Sequence, residues 1–131
     1  MDRSAALTKA AALAKAATDI ADTTWAKFRH AHPGLRKDRP KIVYNKRLKT
    51  TAGRAWLDDN YIDLSNDLVW EHGEKILMWV IPHELGHFVA NEIFGHKGHG
   101  PNFKRVMLSI GANPSTYHSF KNSRHEARKA A

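Results

Sequence analysis

Cysteine is absent from this chain of 131 residues. That excludes a disulfide framework and every cysteine-based zinc site. Acidic residues are scarce as well: 13 Asp and Glu face 21 Lys and Arg, leaving a net charge of +8. An imbalance of this size points to polyanionic partners. No apolar run approaches the ~18 residues that a membrane span needs. The alanine-rich start is broken by Lys9, Lys15 and Asp19 too often to serve as the apolar stretch of a signal peptide. These absences lead to the expectation of a cytoplasmic, monomeric protein with no membrane contact. An apolar fraction of 42% is enough for a core. One domain is expected over 1–131, with its core at about 35–120, an N-terminal helix over 1–34 and a basic tail over 121–131.

The positive charge is concentrated at the ends. Residues 1–50 hold 12 Lys and Arg against 4 acidic residues, 51–96 hold 2 against 8, and 97–131 hold 7 against 1. Charge asymmetry of this kind suggests a nucleic-acid surface. The candidates for contact are Arg36, Lys37, Arg39, Lys41, Lys46, Arg47 and Lys49 in the first basic stretch, and Lys104 and Arg105 in the second. The plainer reading of the first stretch is a solvated loop around a strand.

Local patterns predict an α+β fold. Alanine dominates residues 4–31, which read as a helix capped by Ser4. Leu13, Ala17, Ile20, Thr24 and Phe28 form its apolar stripe, and His32-Pro33-Gly34 stops it. Strands are expected at about 42–45, Thr51–Leu57 and Tyr61–Leu64, with Asp58-Asp59-Asn60 as a turn. They are expected to form a small antiparallel sheet of about three strands. Gly53 suggests a bulge or a close backbone approach. Ser65-Asn66 can cap a short helical turn through Val69. A long helix is expected over 74–94, with a bend or a break at Pro82. Pro101 suits the first position of a following helix, in which Phe103, Val106, Met107 and Ile110 recur at helical spacing. The tail beyond Lys121 is expected to be helical or disordered.

The chemistry is concentrated in His83-Glu84-Leu85-Gly86-His87. Residues four apart share a helix face, so His83 and His87 can ligate one metal ion. Glu84 is placed to take a proton from a metal-bound water, which is the H-E-x-x-H pattern of zinc peptidases. At this composition chance alone gives roughly 0.02 occurrences of the motif, so its position inside a long apolar pattern argues for a site.

Two ligands leave a third to be found. The extended class ending in a third histidine on the same motif needs Gly at 90 and His at 93, where this chain has Ala90 and Ile93. A later carboxylate ligand fails too, since only Glu92 on the same helix and Glu126 in the tail follow the motif. Among the histidines, His99 is favoured. It sits between Gly98 and Gly100, just before a helix start, on a loop able to fold back. His96 is the alternative. Three histidines and an open position describe one catalytic zinc ion, whereas His118 as a fourth ligand would make a closed structural site.

Four stretches then resemble one family in order and spacing: Leu48–Ala55, Ile81–His87, Gly98–Lys104, and Gly111-Ala112-Asn113 followed by Tyr117-His118-Ser119-Phe120. The chain resembles the SprT-like metalloproteases, whose eukaryotic members are called Spartan. The resemblance implies a compact zincin-like domain with zinc on His83, His87 and His99 and Glu84 as the catalytic base. It also implies proteolysis, in Spartan directed at proteins crosslinked to DNA and switched on by DNA. Tyr117 and His118 are expected to pack around the ligands without joining them. Many relatives carry a cysteine-bearing zinc element after the protease core; with no cysteine in these 131 residues, a minimal form lacking that element is expected.

Overall fold

The computed structural model describes residues 1–130. Its first element, α1, spans Arg3–Ala31. The cap is Asp2, not Ser4: the Asp2 carboxylate accepts the Ala5 N–H at 2.7 Å. A carboxylate there satisfies a free donor and complements the positive end of the helix dipole. Ala17, Ala21, Thr24, Trp25 and Phe28 are buried, so the second half of α1 carries its packing.

Three short strands follow: β1 (Lys41–Asn45), β2 (Gly53–Trp56) and β3 (Tyr61–Ser65). Their order is β1-β3-β2. The expected all-antiparallel sheet is therefore corrected. β2 and β3 form an antiparallel hairpin, but β1 runs parallel to β3, with Lys41 opposite Tyr61. The chain from Lys46 to Ala52 leaves β1 and returns as the far edge, so β3 slots between its predecessors. Within this sheet Ile62 and Leu64 are fully buried. On the alternate face Asp63 is held by Arg54 and Asn45, and Trp56 stacks on Tyr61 at 5.8 Å.

Gly53 marks a close approach. A Cβ there would lie 2.9 Å from both the Asp63 carbonyl and Val80 Cγ2. Its absence lets β2 press against the long helix that carries the histidines.

Ser65 caps α2 (Asn66–His72), its hydroxyl accepting the Leu68 N–H at 3.1 Å. Gly73 separates α2 from α3 (Glu74–Phe94). α3 runs unbroken through Pro82. Proline cannot donate to the carbonyl four residues back, at Met78. Met78 is 65% exposed, so water can take that acceptor. Ile76, Leu77, Val80, Ile81, Leu85, Phe88, Val89 and Ala90 are buried around most of the circumference of α3, which makes it the central helix.

α4 (Pro101–Ser109) begins with proline at its first turn and buries Phe103, Val106 and Met107. Burial of this kind is worth about 2 kcal/mol for each large side chain. Gly86 allows the close contact, because a Cβ there would meet Met107 Sδ at 2.5 Å and Phe103 Cε1 at 3.2 Å.

The tail is helical: α5 spans Ser123–Ala130. It is anchored by long-range bonds. Asn122 is buried and donates to the Lys49 carbonyl at 3.0 Å, while Ser123 bonds to Glu71 through both its N–H and its hydroxyl. No helix among the described residues is long and apolar enough to cross a membrane.

Candidate metal centre and its cleft

Helix α3 presents His83 and His87 on one face, one turn apart. The loop between α3 and α4 returns His99 to them. His99 Nε2 lies 3.0 Å from both His83 Nε2 and His87 Nε2. These three residues are the metal-ligating group found among the described residues, with all donor atoms within 4.8 Å of one another. A tetrahedral zinc ion would hold its nitrogen ligands ~3.3 Å apart, so the spacing fits such an ion.

Protonation states fit as well. Burial pushes His83 down to about 3, helped by His87 and His99. Burial and His99 push His87 down to about 4. Burial lowers His99 too. All three imidazoles are neutral at pH 7 and offer lone pairs. The Ser115 backbone is near enough to oppose the fall at His83, yet the buried Nδ1 finds no partner in hydrogen-bond geometry.

Glu84 is 6% exposed, and its Oε2 lies 3.8 Å from His83 Nε2. Burial, with a smaller contribution from the Asp63 charge, pushes it up to about 8. A carboxyl in this state holds its proton at neutral pH until a positive charge arrives beside it.

Aromatic rings fix the imidazoles. Phe103 stacks on His87 at 4.4 Å and meets His83 and His99 edge-on at 5.0 and 5.1 Å. Trp79 also stacks on His83. Sequence reasoning missed Trp79, although it stands four residues before His83 and therefore on the same helix face.

His118 spends both ring nitrogens elsewhere. One bonds the Thr50 carbonyl at 2.8 Å and the other accepts the Phe120 N–H at 3.0 Å. The ring also meets Trp79 edge-on at 5.6 Å. His118 therefore supports the site through Trp79 and has no nitrogen left for a fourth bond to metal. His96 packs against Gly100 and lies outside the cluster. Tyr117 departs from expectation: it is 85% exposed and stands at the cleft instead of packing around the ligands.

The cluster opens into a cleft of about 370 Å³, walled by residues 50–54 on one side and by Thr116, Tyr117 and His118 on another. A larger cavity of about 940 Å³ lies between α1, α2 and the start of α5, but none of the three histidines lines it. The smaller cleft is the one lined by the three histidines and Glu84.

The SprT-like family matches residues 19–125 of this chain. The chain belongs to the SprT-like family. It is similar to Protein SprT of Salmonella newport (strain SL254), with 38% identity over 90 residues, 65% of this chain and 54% of that protein. The same figures hold for Protein SprT of Salmonella heidelberg (strain SL476) and Salmonella agona (strain SL483). This SprT-like chain thus spans about half the length of the curated relatives it matches. No solved structure gives a significant match.

The nine basic residues expected at a nucleic-acid surface of this SprT-like chain divide into two groups. Arg39 pairs with Asp22 at 2.6 Å and Lys49 with Asp67 at 3.1 Å, both half-buried, so these two serve the fold. Arg36, Lys37, Lys41, Lys46, Arg47, Lys104 and Arg105 are exposed. The Arg36 and Lys37 backbones donate to Glu92, which leaves their side chains outside that contact. Arg105 lies 5.9 Å from the Phe94 ring centre.

Proposed function

We propose that this chain is a zinc-dependent endopeptidase of SprT type, built as a zincin-like domain, that cleaves proteins bound or crosslinked to DNA. The observation that carries the reading is the convergence of three neutral imidazoles, Nε2 to Nε2 at 3.0 Å, beside a buried Glu84 in an open cleft. His83, His87 and His99 would hold one zinc ion. When bound, zinc supplies a positive charge that lowers the pKa of water toward ~7 and polarises a peptide carbonyl.

The remaining work falls to the chain. Glu84 ionises beside that charge, takes the proton of the attacking water and returns it to the nitrogen of the departing peptide. Trp79 and Phe103 hold the imidazoles in place and exclude solvent behind them. The exposed cations of residues 36–47 and of α4 would bring the enzyme to phosphate backbones.

The test is cleavage of a DNA-binding protein by zinc-loaded enzyme, with and without single- and double-stranded DNA, beside Glu84→Gln. Cleavage by the wild type, abolished in Glu84→Gln with zinc retained, supports the peptidase reading. Equal activity of the two proteins rejects it. Cleavage indifferent to DNA leaves a zinc peptidase without the nucleic-acid partner.

A further inference from the structure

The cleft contains a phenol, that of Tyr117, which has no part in those proton transfers. Attack of water on a peptide carbonyl forms a C–O bond and moves the C=O π pair onto the carbonyl oxygen. Donors aimed at that growing negative charge are among the largest contributors to catalysis. Glu84 cannot serve there, since it acts on the proton of the water.

The hydroxyls of Thr50, Thr51 and Thr116 also line the cleft, but a phenol is more acidic than an aliphatic hydroxyl and so the stronger donor. Arg54 and His118 already have partners. Arg54 Nε donates to Asp63 at 3.1 Å and its terminal nitrogen bonds the other carboxylate oxygen. Both nitrogens of His118 are engaged. Tyr117 has no such commitment. It is 85% exposed, lines the same cleft as His83, Glu84, His87 and His99, and its hydroxyl forms no hydrogen bond among the described residues. Its exposure gives it no part in the core.

The backbone that carries it is nonetheless held. The Ser115 hydroxyl donates to the Tyr117 carbonyl at 3.0 Å. The next residue, His118, fastens the segment to Thr50, which also lines the cleft, and to Phe120. A fixed main chain with a free phenol at the lip suits a group that meets a substrate only when one is bound. A phenol is also a neutral donor, so it can bond an oxyanion without bringing a further charge into the cleft.

We propose that Tyr117 is a catalytic residue whose O–H donates to the oxygen of the scissile carbonyl as negative charge develops there. The inference rests on the peptidase reading. The phenol keeps its proton throughout. As the C–N bond breaks, its electron pair stays with nitrogen, which takes the proton from Glu84. The oxygen's pair returns to re-form C=O, and the hydrogen bond from Tyr117 weakens.

Tyr117→Phe tests this in zinc-loaded protein, with zinc content and melting temperature measured beside turnover. We expect kcat to fall ~10–100-fold, with KM within about twofold and with zinc content and melting temperature unchanged. Affinity for a phosphinic peptide, a tetrahedral mimic, is a readout independent of turnover. It should weaken by about tenfold, while affinity for a product peptide stays the same. Wild-type kcat and wild-type phosphinic affinity in Tyr117→Phe overturn the proposal, as does a change confined to KM. Glu84→Gln separates the two levels. If the wild type is no more active than Glu84→Gln, the peptidase reading falls and this inference with it. If the wild type cleaves and Glu84→Gln does not, the behaviour of Tyr117→Phe alone decides the role of the phenol.

Discussion

Trp79 lies flat on His83, with ring centroids 4.6 Å apart and planes 19° from parallel. The imidazole also meets Phe103 edge-on, and the indole is braced in turn by the edge of His118. With Nδ1 of His83 lacking a hydrogen bond, packing takes over the orienting work that a second-layer acceptor usually does.

Trp79→Ala should therefore weaken zinc binding by roughly 10–100-fold, the range for lost support around a ligand. Competition with a chromophoric chelator measures it. Trp79→Phe, which restores a ring, should recover most of the affinity. If Trp79→Ala binds zinc as tightly as the wild type, the stacking is irrelevant.

Glu84 makes the metal-free protein less stable as pH rises from about 4.5 to about 8. Its folded value of about 8 lies above the ordinary 4.5. Between those values the unfolded chain releases a proton that the folded chain keeps, so stability falls as pH rises through that window. His83 and His87 act in the opposite direction. Held down at about 3 and about 4 against an ordinary 6.5, they stay neutral while the unfolded chain protonates, so stability also falls as pH drops below 6.5. Glu84→Gln removes only the penalty that grows as pH rises. In chelator, urea denaturation should show the variant more stable by about 1–3 kcal/mol at pH 8 and no more stable near pH 4.5.

Gly53→Ala should destabilise the fold. The added methyl would meet the Asp63 carbonyl and Val80 at 2.9 Å. The Asp63 carbonyl is backbone of β3 and cannot swing aside, so β2 must shift against β3 as well as against Val80 of α3. The expected cost is about 1–3 kcal/mol, read from a shifted denaturation midpoint at unchanged slope.

If Lys46 and Arg47 neutralise phosphates, replacing both with Gln should lower the salt slope of DNA binding by about 2. Anisotropy titrations across a salt series read this directly. Lys49→Gln should instead cost stability through Asp67 and leave that slope nearly intact, since Lys49 already has its anion.

The parts of the molecule written in local spacing were legible from residues alone. His83 and His87 needed only the pitch of a helix. His99 needed a flexible loop ahead of a helix start, and the structure gathers all three. Strand direction was not legible: the two-residue alternation that reveals β1 is identical in parallel and antiparallel pairs. Helix α5 was legible only as one of two alternatives for the tail, helical or disordered, because Asn122 and Ser123 meet their partners some 50 to 70 positions earlier in the chain. Lys49 and Arg39 looked like free cations for the same reason, their acidic partners being remote in sequence.

Neighbouring carbonyls at Lys49 and Thr50 answer to different parts of the chain. The first holds Asn122 at the root of α5, and the second holds His118 on the rim of the cleft. The anchor of the C-terminal helix thus sits one peptide away from Thr50, which lines the cleft. The root of the last helix is thereby tied to the same short stretch of chain that holds the rim of the cleft.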